Sequence, residues 1–528
     1  MPWVSTCGKK LNVEENTPLD VALNAMGERF FFSSVKYARP RGVMDDAYPY
    51  GHNMRVYLEG EGLVNPVTQN VKHDVNVLLR RETTLGSKVS GFFSGKFKAG
   101  FQNGFFFRNR LGWRAARRAI TSSANLPRFS EFPTIKEDNF KRVKTGVLIV
   151  GAGLAGLGVA ESLSELEQEC ILVDTHAEPG GRTRFSEEIC GNGETYSALV
   201  KRVSEGLEKA KIELVQGCFS GVYEEKTGFI VSQKAVTRVD FDYLVYATGS
   251  RNPPPLFLGN DLPGVFSVDY ALRLNNYNAL KGKVVIYSED EWGVSVYNRL
   301  KAYLNVKLVN PSGSDAETSS RIVRVEGKKS VEAVVLENGT RIPAECLVYS
   351  TVRQPSLELP AQAGVKYELD SNTGLIAAQV DMNGASDKPW LWLAGSVTGL
   401  YELESSYHHG RAVGYSVMGH RESAQQFLLK TQRRKSTRPS QRISDKAFVC
   451  FCEDVTVADF MEAKAKGFSH PEKTKRFTGW GTGACQGKMC VANGLILIGV
   501  NHCSPYTQRL PVEPTTLGSL VHMEKVPR

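Results

Sequence analysis

No apolar run in this 528-residue chain approaches the roughly 18 residues that a membrane-spanning helix needs, and Met1 to Leu11 has no signal-peptide core. A cytoplasmic protein is expected. No Cys-x-x-Cys pair occurs between residues 143 and 430, so dithiol–disulfide chemistry is not expected in that region. Charge of one sign does not dominate: 65 Lys and Arg stand against 56 Asp and Glu, a net +9 concentrated around Arg108 to Arg118 and Arg433 to Arg442. That suits a solvated linker or a face for an acidic subunit, and does not call for nucleic acid. Hydrophobic content of 41% and charged content of 23% are those of a globular protein, and the length allows about three to four domains. Ten cysteines in a cytosolic chain are not read as disulfides.

What the chain does contain is organised around Val143 to Arg182, VKTGVLIVGAGLAGLGVAESLSELEQECILVDTHAEPGGR. The aliphatic run Val147 to Val150 feeds into Gly151, Gly153 and Gly156, and Leu157, Ala160, Leu163 and Leu166 follow at helical spacing. The first glycine permits a sharp turn, the second lets backbone approach a pyrophosphate, and the third lets helix pack on strand. The phosphates would rest on free N–H groups at the helix start. A second strand, Cys170 to Val173, ends on Asp174, whose carboxylate can accept hydrogen bonds from ribose hydroxyls and favours an adenosine without a 2′-phosphate. A glycine-rich structural turn is the alternative reading.

Further on, Glu178-Pro179-Gly180-Gly181-Arg182 is a second glycine turn, and the strand Tyr243 to Tyr246 leads into Ala247-Thr248-Gly249. These stations together resemble two-dinucleotide-binding-domain flavoproteins of the glutathione-reductase type over about 143 to 430. The resemblance implies an α/β core with backbone amides near the far phosphate or the flavin. The strand Leu391 to Leu393 leads to Gly395-Ser396, with Ser396 where the reductase pattern has an Asp for the ribityl chain. The second lobe begins at Gly282-Lys283-Val284, where a reductase would carry another glycine fingerprint. Here YSEDEWG has a lone Gly293 beside Glu289, Asp290 and Glu291, whose charges repel a pyrophosphate, so ordinary NAD(P)H binding is not expected there. His408 and His409 near the flavin end either steer a flavin or proton or are inert helix histidines.

The N-terminal segment reads as a small α+β unit. Thr17 is expected at an N-cap, with Pro18 at the first helical position and Gly27 ending the helix. In VKYARPRG (Val35 to Gly42), Lys36, Arg39 and Arg41 form a phosphate or carboxylate contact or a basic surface loop. Residues 80 to 140 are aromatic and basic (Phe92, Phe93, Phe97, Phe101, Phe105 to Phe107, Trp113), fitting a packed connector or a subunit-docking surface.

Near the C-terminus, Cys450-Phe451-Cys452 is followed by Cys485 and Cys490. Thiolates are soft ligands for iron–sulfur clusters and zinc, and free buried thiols are the remaining alternative. Thr456 and Asp459 mark a capping-box helix start between the pairs.

The order of helix, VKYARPRG, NMRVYLEG and NPVTQ resembles the N-terminal ferredoxin-like domain of heteromeric sarcosine oxidase α subunits, and the C-x-C-x32-C-x4-C spacing is similar to the helical bacterioferritin-associated-ferredoxin-like [2Fe-2S] domain. With all four thiols present, the chain resembles the α-type subunits of dye-linked L-proline dehydrogenase, opine oxidase and hydrogen cyanide synthase. The expected domains are 1–78, ferredoxin-like without a cluster; 79–140, connector; 141–280 and 351–430, FAD/NAD-binding domain; 281–350, degenerate second Rossmann-like lobe; 431–446, linker; and 447–528, [2Fe-2S] domain. The resemblance implies FAD or NAD, with ATP as a further adenine nucleotide, at Gly151, Gly153, Gly156, Asp174, Gly180, Gly181, Arg182, Ala247, Thr248, Gly249, Gly395 and Ser396. It implies a [2Fe-2S] cluster on Cys450, Cys452, Cys485 and Cys490, and FMN at a subunit boundary. It implies a hetero-oligomer with an amine-oxidising, FAD-holding β-type subunit, a small ferredoxin-like subunit and an electron acceptor. Folate-dependent one-carbon transfer is not expected, because the chain stops at Arg528. No residue stands out as a substrate site.

Overall fold

The computed structural model describes residues 1–34, 37, 39–45, 56–79, 111–112, 114, 139–186, 188–210, 212–232, 235–312, 319–370, 373, 375–432, 443–483, 485–499, 507–513, 515, 519–520 and 523. Lys36, Phe92 to Phe107, Trp113, the basic stretch 433–442 and Cys503 lie outside these residues. The chain forms two compact units. One comprises Met1–Thr134, Asn252–Val352 and Thr437–Val500; the other comprises Ile135–Arg251, Arg353–Ser436 and Asn501–Arg528.

In the first unit, the strands Lys9–Asn12, Trp3–Thr6, Val75–Leu78, Val56–Leu58 and Gly62–Val64 lie side by side in a mixed sheet. The helix Leu19–Ala25 starts one residue later than expected: Pro18 is the cap, while the Thr17 hydroxyl donates back to the Glu14 carbonyl at 2.7 Å. The reason is that Pro18 keeps an extended ψ of 137° and so stands outside the helix. A second layer is the parallel sheet Val265–Ser267, Cys346–Ser350, Lys283–Ser288 and Asn305–Val309, with helices Val268–Asn276 and Glu291–Leu300. The lobe expected to start at 281 therefore begins earlier, at a strand too short to show a period in the sequence. Asp20 ties the two layers, accepting from the Tyr270 hydroxyl at 2.8 Å and from Arg273 at 3.1 Å. The cysteine-bearing part adds the hairpin Phe448–Cys450 and Val455–Thr456, then helices Val457–Ala465, Pro471–Thr478 and Val491–Ile498. The Thr456–Asp459 capping box is present in both directions.

In the second unit, the strands run in the order Ile212–Gln216, Cys170–Asp174, Asn139–Val150, Ala235–Tyr246, Thr227–Val231 and Cys218–Glu224, with Leu391–Leu393 parallel to Ala235–Tyr246. Val147 to Val150 are buried throughout, as a parallel strand covered on both faces requires. The helices Leu154–Glu165 and Leu403–Val417 pack together beside it. Two described residues beyond 500, Val512 and Met523, pack in this unit. Val512 N–H donates to the Ser220 carbonyl at 2.9 Å, and Met523 joins Phe229 and Val236 in a small core.

Candidate functional site

The geometry of the glycine turn follows from close backbone contacts. Gly151 has φ +109°, and a Cβ there would sit 2.3 Å from the Ala247 carbonyl oxygen; at Gly156 it would sit 1.8 Å from the Gly151 carbonyl oxygen. Only glycine fits either place. Gly153 is different: an added Cβ would make only an ordinary contact, 3.9 Å from the Gly181 Cα. Gly153 also caps the helix Leu154–Glu165 with no side-chain bond and no acid in the first turn. That leaves a positively polarised helix start with no side-chain cap, the arrangement that receives a phosphate.

The other stations converge on this turn. Gly180 N–H donates to the Ala152 carbonyl at 2.7 Å, and an added Cβ at Gly181 would lie 3.1 Å from the Gly153 Cα. Ala247 N–H donates to Val150, and Gly395 backs onto Ala155. Gly249 and Ser396 face one another, with the Ser396 Oγ 3.9 Å from where a Gly249 Cβ would be. Asp174 braces the turn: one oxygen accepts from Ala152 N–H at 2.7 Å and the other from His176 N–H at 2.8 Å. Burial alone would raise the Asp174 pKa, but the bonds from His176 and Ala152 hold it below the ordinary value. Two side chains turn elsewhere. The Thr248 hydroxyl donates to the Ser356 carbonyl at 2.9 Å, and the Arg182 guanidinium reaches the Tyr401 carbonyl.

The two histidines part company. His409 is buried, accepts Gly395 N–H on Nδ1 at 3.0 Å, and has Nε2 3.2 Å from the Met382 carbonyl. It therefore holds the Gly395 turn. His408 has its pKa lowered, first by burial and then by Lys430.

In the second lobe the equivalent helix start is already filled. Asp290 caps the helix Glu291–Leu300, its carboxylate accepting from Gly293 N–H at 3.0 Å and from the Ser350 hydroxyl at 2.6 Å. A carboxylate sits where a phosphate would.

Cys450, Cys452, Cys485 and Cys490 are all buried and unbridged. The four thiols lie near enough to shift one another's pKa values, Cys452 and Cys490 acting on Cys450, and Cys450 and Cys485 on Cys452. Among the described residues, no three His, Cys, Asp or Glu side chains are placed to hold a single metal ion. Trp480 is fully buried and donates its indole N–H to the Cys490 carbonyl at 3.1 Å, and buried Lys488 donates to the Cys485 carbonyl at 3.4 Å. Sequence reasoning passed over Trp480; its setting in the glycine-rich TGWGTG, five residues before Cys485, was the available signal.

The model of the pyridine nucleotide-disulphide oxidoreductase family matches residues 145–287 and 263–424, and that of the sarcosine oxidase A3 domain matches residues 444–522. Sarcosine oxidase subunit alpha of Rhizobium meliloti (strain 1021) is 25% identical, covering 93% of this chain and 54% of that protein. Hydrogen cyanide synthase subunit HcnB of Pseudomonas aeruginosa is 21% identical, covering 65% of this chain and 90% of that protein. The chain thus spans about half the length of the sarcosine oxidase subunits it matches. In fold it is similar to L-proline dehydrogenase from P. horikoshii, with a TM-score of 0.76 at 20% identity over 98% of this chain and 97% of that one. No helix among the described residues is long and apolar enough to cross a membrane. The chain belongs to the pyridine nucleotide-disulphide oxidoreductase family, with the two-dinucleotide-binding-domain fold, and is similar to the alpha subunits of sarcosine oxidase and to hydrogen cyanide synthase subunit HcnB.

Proposed function

We propose that this chain is the α-type subunit of a flavin-dependent dehydrogenase or oxidase acting on the CH–NH group of a secondary amine or amino acid of the sarcosine, proline or opine class. It binds an adenine dinucleotide, FAD or NAD, in the second unit and relays electrons through FMN and a [2Fe-2S] cluster. The observation that carries this reading is the coexistence of a helix start without a side-chain cap, ringed by glycine turns, and four buried, unbridged thiols close to one another.

The residues fit both groups. Gly153, having no side chain, lets a pyrophosphate approach the backbone, and the first amides of the helix Leu154–Glu165 supply donors. Asp174 keeps lone pairs for ribose hydroxyls while fixing the turn. His409 holds Gly395, and Ser396 presents a neutral hydroxyl beside it. Cys450, Cys452, Cys485 and Cys490 would be the iron ligands, since a binuclear cluster takes four thiolates shared between two irons rather than around one. Trp480 and Lys488 hold the carbonyls of Cys490 and Cys485 in place. When bound, such groups supply two-electron chemistry at a flavin and one-electron exchange at iron. The carboxylate cap of Asp290 argues against a stand-alone NAD(P)H oxidoreductase using the second lobe.

The partners in this reading are a β-type amine-oxidising flavoprotein subunit, a small ferredoxin-like subunit and a separate electron acceptor. A cytoplasmic location belongs to it as well, because ligand thiols stay reduced there. The test is to purify the chain with its genetic neighbours and measure iron, acid-labile sulfide and released nucleotide per chain. Turnover of sarcosine, proline and opines with a dye acceptor follows. Dithionite-bleachable colour with about two irons and two sulfides per chain is expected. A colourless chain carrying a stoichiometric nucleotide, with full turnover by the partner, would make it a scaffold instead.

A further inference from the structure

Three segments far apart in sequence meet behind the cysteine loop of the first unit. Arg41 is 1% exposed; one guanidinium nitrogen reaches Asp261 and another reaches Asp454 at 2.6 Å, both carboxylates being equally buried. Arg39 adds a second hold on Asp261 at 2.9 Å, and Tyr37 N–H donates to the other oxygen of Asp454 at 3.0 Å. The Arg41 guanidinium also lies over the rings of Phe448 and Phe451, 4.8 and 5.9 Å from their centroids. Those aromatics bracket Cys450, and Asp454 stands two residues after Cys452. Asp454 has φ +50°, a left-handed conformation uncommon for residues with a Cβ, which Asp adopts more readily than alanine does.

We propose that Arg41 is a positioning residue for the iron–sulfur cluster: by gripping the Asp454 carboxylate it enforces the left-handed turn after Cys452, so that Cys450 and Cys452 are presented before iron arrives. The inference rests on the reading of the four thiols as [2Fe-2S] ligands. It gives the basic loop VKYARPRG a carboxylate contact inside its own chain, and makes the N-terminal layer part of the cluster's housing. Two arginines face two aspartates, so the group is close to neutral and its effect is on shape rather than on the field at the cluster. A lysine in place of Arg41 has a single point charge and cannot span both carboxylates as a planar fork does.

The experiment compares wild type with Arg41→Met, Asp454→Ala and Asp454→Gly after anaerobic reconstitution with iron and sulfide. It reads iron and sulfide per chain, the electron paramagnetic resonance of the reduced cluster, and the rate of bleaching by a chelator. Hydrogen exchange over residues 448–456 is followed in the metal-free chain, and bound nucleotide reports the folding of the second unit. Arg41→Met and Asp454→Ala are expected to bleach about tenfold faster or more, because each strips one partner from a buried pair. Asp454→Gly removes the same carboxylate but accepts the left-handed turn, so it is expected to bleach clearly more slowly than Asp454→Ala. Wild-type bleaching and exchange in Arg41→Met would overturn the proposal, as would equal rates for the alanine and glycine variants. If Arg41→Met does not fold, the alanine–glycine pair decides. A wild-type chain that takes up no iron and sulfide sinks the ligand reading itself, and the proposal with it, before any variant is compared.

Discussion

The carboxylate of Asp290 accepts the N–H of Gly293 at 3.0 Å, at the start of a helix whose counterpart in the other unit, capped by Gly153, carries no side-chain cap. This one difference separates a helix start that can receive an anion from one that already holds its own. Asp290→Ala is expected to lower stability by about 1 kcal/mol, the cost of a lost N-cap, and to leave nucleotide content per chain unchanged. Urea unfolding and quantitation of released nucleotide check both halves.

Gly153 and Gly156 make opposite predictions despite their shared motif. Gly153 has an ordinary φ of −72°, and a Cβ there would make only an ordinary contact with the Gly181 Cα, so Gly153→Ala is expected to fold with wild-type stability in the nucleotide-free chain yet bind nucleotide at least about tenfold more weakly. Gly156→Ala drives a Cβ into the Gly151 carbonyl and is expected to destabilise the chain itself by about 1–3 kcal/mol. Thermal unfolding of the stripped protein and titration with FAD and NAD separate the two.

Asp174 links the turn to acid stability. Its pKa in the folded chain lies below the ordinary carboxylate value, because the bonds from His176 and Ala152 outweigh burial. A depressed folded value means a stabilisation present above about pH 4 and lost as the pH falls through the folded pKa. The stability gap between wild type and Asp174→Asn should therefore be widest at neutral pH and close under acid, as read by urea unfolding across the pH range.

His409 bears on the same turn from the other side. Replacing it by Phe leaves Gly395 N–H buried without an acceptor, at a cost of about 1–3 kcal/mol. Weaker nucleotide retention should accompany the lost stability in equilibrium dialysis. His408→Phe, which breaks no bond to the glycine turn, is expected to retain nucleotide as wild type does.

The thiols titrate late. Cys452 is pushed up to about 12, first by its hydrogen bond with Cys450 and then by burial, and Cys490 is raised by burial. In the metal-free chain they are protonated at neutral pH, so metal uptake must release protons and tighten as the pH rises. Calorimetry in buffers of different ionisation enthalpy measures that release. Cys485→Ser is expected to abolish cluster retention, and an affinity independent of pH would contradict the protonated starting state.

Much of the nucleotide cradle was legible because its physics is local. A strand, a turn at Gly151 and a helix packed through Gly156 are written within a few residues of one another, and YSEDEWG announced its own acids. Spacing likewise exposed the four cysteines. Less visible was the start of the second lobe, whose first strand, Val265–Ser267, is three residues long and carries no readable period.

What the sequence by itself determined is therefore what short-range backbone geometry dictates: the glycine turns and the capping box at Thr456. Only the tertiary structure decided that Asp174 braces the turn it follows, that His409 serves Gly395, that Arg41 grips Asp261 and Asp454, and that the segment around Val512 and Met523 packs on the nucleotide unit. The physical reason is that a buried charge or an apolar side chain takes whatever partner the fold brings to it. Residues 41, 261 and 454 carry no common period or spacing that would reveal the meeting beforehand.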